Sequence, residues 1–294
     1  MLLFAAQDVV GESLIWSQRD QALYWVDIVG RRIHGLDPAT GNHETWETPD
    51  FVTSIGPCST SGFVVGLRRT VCRWTAGGDF EMLAHPEPDL PGNRLNEGKV
   101  APDGSFWVGT MQDNLADDGS PLPLEHETGA YYRIGAGGDV TPLGPRDFGV
   151  TNTMIWTEDG RFITADTTKN ELYAYDYDPA GQRLTARRPF GTAFDRGLPD
   201  GSCPDTDGGI WNCRVLGGGC VIRYDAAGHV DRIVDLPCSS PTSCAFGGPD
   251  LGTLYVTSSR FGMPAEHLAT HEHEGGLFAL DVGATGLPEH EFSG

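Results

Sequence analysis

The 294-residue sequence predicts an all-β fold, a six-bladed β-propeller built as one domain over residues 1–294 from four-stranded antiparallel blades around a central channel. Three observations carry that expectation. Forty glycines and twenty prolines separate short apolar runs rich in aromatic residues, which describes many turns joining many strands. No long helical pattern stands out. Pairs of such runs recur six times, beginning near residues 23, 62, 105, 161, 209 and 253, a spacing of roughly 40 to 55 residues that suits a four-stranded blade. Finally, all-β chains of this length are commonly single domains. A lone sheet of this kind cannot bury both faces, so the units are expected to pack radially around an axis. A two-sheet sandwich would leave the repetition unexplained.

In chain order, blade one is read from 23–27 and 32–37, blade two from 62–67 and 71–74, and blade three from 105–110 and, after a long insertion, 129–134. Blade four follows at 161–166 and 171–176, blade five at 209–213 and 219–225, blade six at 253–258 and 275–281. Asp103-Gly104, Asp159-Gly160 and Asp207-Gly208-Gly209 supply tight turns that lead into three of these strands. A strand within residues 4–10 is expected to complete the last blade and remove its free edge.

Composition excludes several functions. A formal charge of −21 opposes binding to nucleic acid or to an anionic membrane, both of which need clustered cations. The apolar start at residues 1–6 lacks a basic leader and is too short for a secretory core or a span, so a cytoplasmic address is expected. Seven cysteines, an odd number without zinc-type spacing, read as buried free thiols. Serine-hydrolase elbow, Walker loop and dinucleotide fingerprint are all missing from the sequence. No obligate protein partner is expected.

What remains is a set of polar residues about nine to eleven positions upstream of five of the six strand starts: Glu12, Ser54, Asn96, Asn152, Asp200 and Ser243 in the six blades. The expectation places them in loops that open onto the channel, where equivalent repeat positions meet. Alone, Glu12 reads as a surface carboxylate, Asn152 as a turn asparagine and Asp200 as the first residue of an Asp-Gly turn. Their shared register changes that reading. Two carboxylates and an amide oxygen brought together need a cation between them, and such donors suit Ca²⁺, Mg²⁺ or Mn²⁺, with Zn²⁺ possible. Arg94 and Asn96, two apart on an extended segment, point to one side and can donate to the hydroxyls of a polyol. The acidic insertion 112–128 reads as a solvated loop that could flap over the channel mouth. His267, His271 and His273 resemble a zinc set, but they fall between two strands of blade six and are expected to hold no metal.

Gly11-Glu12-x-x-x-Trp16, Tyr24-Trp25-Val26-Asp27-Ile28, Arg94-x-Asn96-x-Gly98-Lys99, Gly109-Thr110-Met111, Asn152, Pro199-Asp200-Gly201 and Phe246-Gly247-Gly248, with Leu254-Tyr255-Val256-Thr257, run in order through nearly the whole chain. Together they resemble the SMP-30/gluconolactonase/regucalcin-like family. The resemblance implies a six-bladed propeller with one divalent cation (Ca²⁺, Mg²⁺, Mn²⁺, Fe²⁺ or Zn²⁺) that hydrolyses a small-molecule sugar lactone. It makes Glu12, Asn152 and Asp200 the metal ligands, Arg94 and Asn96 the substrate contacts, and Asp200 the catalytic general base. This chain departs from the family's pattern at Glu97, where Asp is usual, at Thr153, where Gly is usual, and at Asn114, near an acidic substrate contact of some members. A phosphotriesterase or other esterase on the same site and a calcium-binding regulatory protein are the rival expectations. A rigid closed ring offers a calcium sensor no obvious bistable element.

Overall fold

Runs such as Phe162-Ile163-Thr164-Ala165 alternate across a pleat and stop at glycine turns, so each folds back on its neighbour as an antiparallel hairpin. The computed structural model describes residues 1–180 and 182–294. Six four-stranded antiparallel sheets result, and the fold is a six-bladed β-propeller. The first strands of blades one to six are Gly11–Ser17, Val52–Pro57, Asn93–Val100, Thr151–Trp156, Leu198–Pro204 and Pro241–Gly247. Among the described residues no helix is long and apolar enough to cross a membrane.

Leu2–Phe4 pairs with Leu277–Asp281 as the outer strand of blade six. The closing strand therefore begins upstream of the expected 4–10 and shares only Phe4 with it. The cause lies in residues 8–10, whose polar groups serve other partners. The Val9 and Val10 N–H groups donate to the Asp27 carboxylate at 3.1 and 3.0 Å, Asp8 accepts the Trp25 indole N–H at 2.8 Å, and Val10 bridges Ser259.

The chain forms two compact units. One comprises Met1–Phe51 and Gly191–Glu289 and contains blades one, five and six; the other comprises Val52–Phe190 and His290–Gly294 and contains blades two, three and four. Trp16, Trp25, Trp211, Phe246 and Phe278 fill the core of the first unit. In the second, Phe106 and Phe292 lie in one cluster and Trp107, Tyr131 and Phe162 in another. All seven cysteines are buried free thiols.

Every first strand carries one residue more than the strand beside it. Asn152 pairs with Ala165 and Met154 with Thr164, so two steps on one strand oppose a single step on the other. The same one-residue bulge falls between Glu12 and Ile15, Val52 and Ser54, Leu95 and Gly98, Pro199 and Ser202, and Pro241 and Cys244. Glu12, Ser54, Asn96, Asn152, Asp200 and Ser243 thus lie within strands, at or beside these bulges, and not in preceding loops as the sequence suggested. A bulge interrupts the two-residue alternation and tolerates polar and glycine residues, which is why it reads as a turn.

The Asp207-Gly208-Gly209 turn of blade five is held by Asp205, whose carboxylate accepts the N–H groups of Asp207 and Gly209 at 3.0 and 2.8 Å and the Trp211 indole at 2.8 Å. Arg223 Nε lies 2.6 Å from the same carboxylate, and both side chains are buried or nearly so. Burial disfavours the charge on Asp205, but Arg223 and the N–H donors outweigh it and hold the carboxyl below its ordinary value. Its stabilising effect is therefore complete above the ordinary carboxyl pKa of about 3.9 and disappears as pH falls through the depressed folded value. Asp205→Asn is expected to cost about 3 kcal/mol at neutral pH, since it removes the buried partner of Arg223 and leaves only the more exposed Asp231 to balance the guanidinium. Urea denaturation from pH 7 downward checks both the loss and the flatter acid limb expected of the variant.

Candidate functional site

In the first unit, the first strand of blade six packs against the first strands of both blade one and blade five. Glu12 and Asp200 are buried on those two flanking strands. Blade one is tied to the Thr242-Ser243 bulge by the Leu14 N–H, which donates to Ser243 Oγ at 3.1 Å, and by the Thr242 hydroxyl, which donates to the Gly11 carbonyl. Blade five approaches the same bulge through Gly201, where an added Cβ would meet the Thr242 carbonyl at 2.8 Å and Ser243 Cα at 2.9 Å. Asp200-Gly201 is thus required by close backbone approach between blades, and the turn reading of this pair is set aside. Glu12 Oε2 accepts the Ser13 N–H at 3.0 Å, with Ser13 held at φ +50°. The Asp200 carbonyl accepts Asn212 Nδ2 at 3.1 Å, and the same amide reaches Ser202 Oγ at 2.9 Å. Burial, then Cys244 and Asp200, push the neighbouring Cys213 thiol well above its ordinary pKa, which keeps it protonated and unreactive.

The second unit holds Asn152, Arg94 and Asn96. Asn152 is buried, and its carbonyl accepts the Thr164 hydroxyl at 2.9 Å and the Tyr131 hydroxyl at 3.2 Å. Its Nδ2 donates to Thr167 Oγ1 at 2.9 Å, while its Oδ1 is buried with no hydrogen-bond partner among the described residues. Thr153, next in the bulge, sits at φ +56°, a conformation that disfavours β-branched residues and suits glycine. The departure at this position therefore keeps the backbone shape that glycine would take, at some cost in strain.

Arg94 and Asn96 meet as their spacing predicted. Arg94 Nη1 donates to Asn96 Oδ1 at 2.8 Å and to the Leu95 carbonyl at 2.8 Å, and its Nε donates to Asn114 Oδ1 at 3.0 Å. Asn96 Nδ2 donates to the Thr151 carbonyl at 2.8 Å, which links blade three to the strand that carries Asn152. Arg94 and Asn96 thus form part of an amide and guanidinium network whose groups are already oriented.

Thr164 and Asn212 escaped the sequence reading, although both bind the carbonyl of a bulge residue, Asn152 and Asp200 respectively. They occupy equivalent registers, opposite Met154 and Ser202. A single polar residue inside an otherwise apolar strand, as in Phe162-Ile163-Thr164-Ala165 and Ile210-Trp211-Asn212-Cys213, was the available signal. Elsewhere, His267 Nε2 lies 3.0 Å from Glu274 Oε1 and its ring stacks on His271. Glu274 in turn accepts the Ser239 N–H and hydroxyl, at 3.0 and 2.6 Å.

Comparison with known proteins adds the lineage. Residues 10–260 match the model of the SMP-30/Gluconolactonase/LRE-like region. A 6-deoxy-6-sulfogluconolactonase of Pseudomonas putida is 36% identical over 291 residues, covering 97% of this chain and 96% of its own. The pentonolactonase XacC of Haloferax volcanii is 34% identical over 286 residues, covering 95% and 93%. Among solved structures, a calcium-binding protein, regucalcin, from Agrobacterium tumefaciens matches with a TM-score of 0.90 at 28% identity, over 99% of this chain and 96% of that one.

Tyr131 is buried, and burial foremost raises its hydroxyl pKa well above the ordinary value, so it stays a neutral donor. Tyr131→Phe removes one of two donors to the Asn152 carbonyl, while Thr164 keeps the other. A loss of about 1 kcal/mol is expected. Because the hydroxyl does not ionise, urea midpoints of the two proteins should differ by the same amount across about pH 6 to 9.

Proposed function

The chain belongs to the SMP-30/gluconolactonase/LRE-like family, and from that premise we propose that it is a metal-dependent hydrolase that opens a sugar lactone of the aldonolactone class to the aldonic acid in carbohydrate catabolism. Ester hydrolysis of the lactonase kind is the named activity of full-length relatives at 34 and 36% identity. Glu12, Asn152 and Asp200 are the proposed ligands of one divalent cation, Arg94 and Asn96 the proposed substrate contacts.

The observation that carries the metal reading is Asn152 Oδ1. Every other bond to this residue described above is satisfied within blades three and four, yet the amide oxygen is buried without a partner among the described residues. Leaving such an oxygen unsatisfied costs about 1–3 kcal/mol, and a cation ligated there removes the penalty. A donor set of two carboxylates and an amide contains only oxygen, which fits Ca²⁺, Mg²⁺ or Mn²⁺ better than a thiophilic ion. When bound, the cation would act as a Lewis acid toward the lactone carbonyl.

The protein's own part follows from the residues. Asp200, held by its backbone at a tight contact between blades, takes a proton from the attacking water. Arg94 and Asn96 hold ring hydroxyls so that the carbonyl carbon faces that water. As the new C–O bond forms, the ring ester bond breaks, its oxygen takes back the proton held by Asp200 and leaves as the hydroxyl of the acid product, and the new carboxylic acid loses its own proton to solvent.

The test is hydrolysis of a panel of aldonolactones by metal-stripped protein, with and without Ca²⁺, Mg²⁺, Mn²⁺, Fe²⁺ and Zn²⁺, corrected for spontaneous opening. Metal-restored turnover is expected. Asp200→Asn should lower kcat by at least about 100-fold, whereas His271→Ala should leave it unchanged. A metal that binds tightly without turnover of any lactone would sink the substrate class and favour another ester or a regulatory role.

A further inference from the structure

The acidic insertion 112–128 follows the second strand of blade three, Phe106–Gln112, and was expected to be a solvated loop able to flap. Residues 120–127 are exposed to solvent, but the insertion is fastened at three places within its own unit. Arg68, in the turn between the blade-two strands Phe63–Leu67 and Val71–Trp74, donates Nε to Asp113 Oδ2 at 2.7 Å, Nη1 to Asp117 Oδ1 at 2.8 Å and Nη2 to the Leu115 carbonyl at 2.7 Å. The Gln112 side chain accepts the Glu125 and His126 N–H groups, both at 2.8 Å, and donates to the Pro123 carbonyl. At the far end Lys169 Nζ lies 2.9 Å from Glu127 Oε2 and 3.2 Å from the buried Asp166.

These fasteners differ in weight. Asp117 is 96% exposed, so its pair with Arg68 contributes little, but Arg68 and Asp113 are only 12% and 8% exposed. The Asp113 pair is therefore the strong one, with the Leu115 carbonyl fixing the plane of the guanidinium. Between Asp113 and Leu115 sits Asn114, whose side chain holds Arg94 and whose carbonyl accepts the Leu122 N–H at 2.8 Å. Arg68 also reaches the Arg94 strand directly, because its own carbonyl accepts the Leu95 N–H at 2.7 Å.

Resting on the lactonase reading, we propose that Arg68 is a positioning residue for substrate recognition: it clamps 113–117 so that Asn114 stays against Arg94, and it makes the insertion a fixed wall of the sugar-binding subsite rather than a moving flap. A wall ordered in advance removes the entropy cost of ordering it on binding, so the clamp acts on affinity. The proton-accepting Asp200 belongs to blade five, in the other unit, so the clamp is expected to leave the chemical step alone.

The experiment compares the full-length protein with Arg68→Gln, Arg68→Lys and Asp113→Asn, measuring kcat and KM on a lactone the wild type hydrolyses, limited proteolysis within 112–128, and the thermal midpoint. For Arg68→Gln, KM should rise about tenfold, the scale of one weakened hydrogen-bonding contact, with kcat within about twofold. Cleavage within 112–128 should accelerate. Asp113→Asn should reproduce both effects, which covers the case in which Arg68→Gln folds poorly, and Arg68→Lys should fall between because it keeps the charge but not the planar fork. Faster cleavage with an unchanged KM would overturn the proposal, as would a fall in kcat at constant KM or no change in either readout. If the wild type hydrolyses none of the lactones, the functional reading fails instead, and the cleavage rates still report whether Arg68 holds the segment.

Discussion

The one-residue bulge repeated on the first strand of all six blades is the constraint on which the rest of the structure depends. An extra residue breaks the backbone ladder, and peptide groups freed inside a buried strand must find other partners. Side chains supply them. Thr164 and Tyr131 serve the Asn152 carbonyl, Asn212 serves the Asp200 carbonyl, and Thr242 serves Gly11. The polar residues near each bulge therefore do two jobs: some replace the missing ladder bonds, and that leaves others positioned for a ligand. The strain appears as left-handed backbone at Ser13 and Thr153, beside two of the proposed metal ligands.

Polar groups in this chain divide accordingly into those that close a blade and those that do not. Asp205 directs its oxygens to the N–H groups of its own turn, an indole and a guanidinium. Asp166 does the same for Gly149 N–H, Val150 N–H and Thr168. Such carboxylates are structural, since each oxygen is committed to holding a turn or a strand end. Asn152 behaves differently: its side-chain nitrogen donates to Thr167 and its carbonyl is bound, while its side-chain oxygen is buried without a partner among the described residues. That asymmetry is the feature a hard cation would resolve, and Glu12 and Asp200 occupy the equivalent bulges of two other blades.

The substrate contacts proposed here follow the same principle of prior satisfaction. Arg94 and Asn96 are cross-linked to one another, to Asn114 and to the Thr151 carbonyl, so neither is free to rotate away. The insertion that carries Asn114 is one of two long departures from the blade pattern, yet it is bound to blade two by Arg68 and to blade four by Lys169. A surface assembled from three blades and an insertion is stiffer than any one loop could make it.

From the sequence alone, the fold was legible almost strand by strand, because apolar alternation and glycine turns are local properties: 161–166 and 253–258 coincide with the observed strands Arg161–Asp166 and Thr253–Ser258. Repetition also made Glu12, Asn152 and Asp200 stand out, since six copies of one unit expose the position at which polar residues replace apolar ones. Local pattern could not separate a bulged strand from a turn, so these residues were read as loop. Nor could it find Thr164 and Asn212, whose meaning depends on which carbonyl lies opposite, or place the closing strand at Leu2–Phe4. Only the tertiary structure decided that Gly201 is small because blade six passes within 3 Å of where a side chain would be. The same holds for Arg68 and Asp113, 45 residues apart and paired at 2.7 Å. Partners so far apart in the chain leave no periodic trace, because the contact that selects them exists only once the blades have packed.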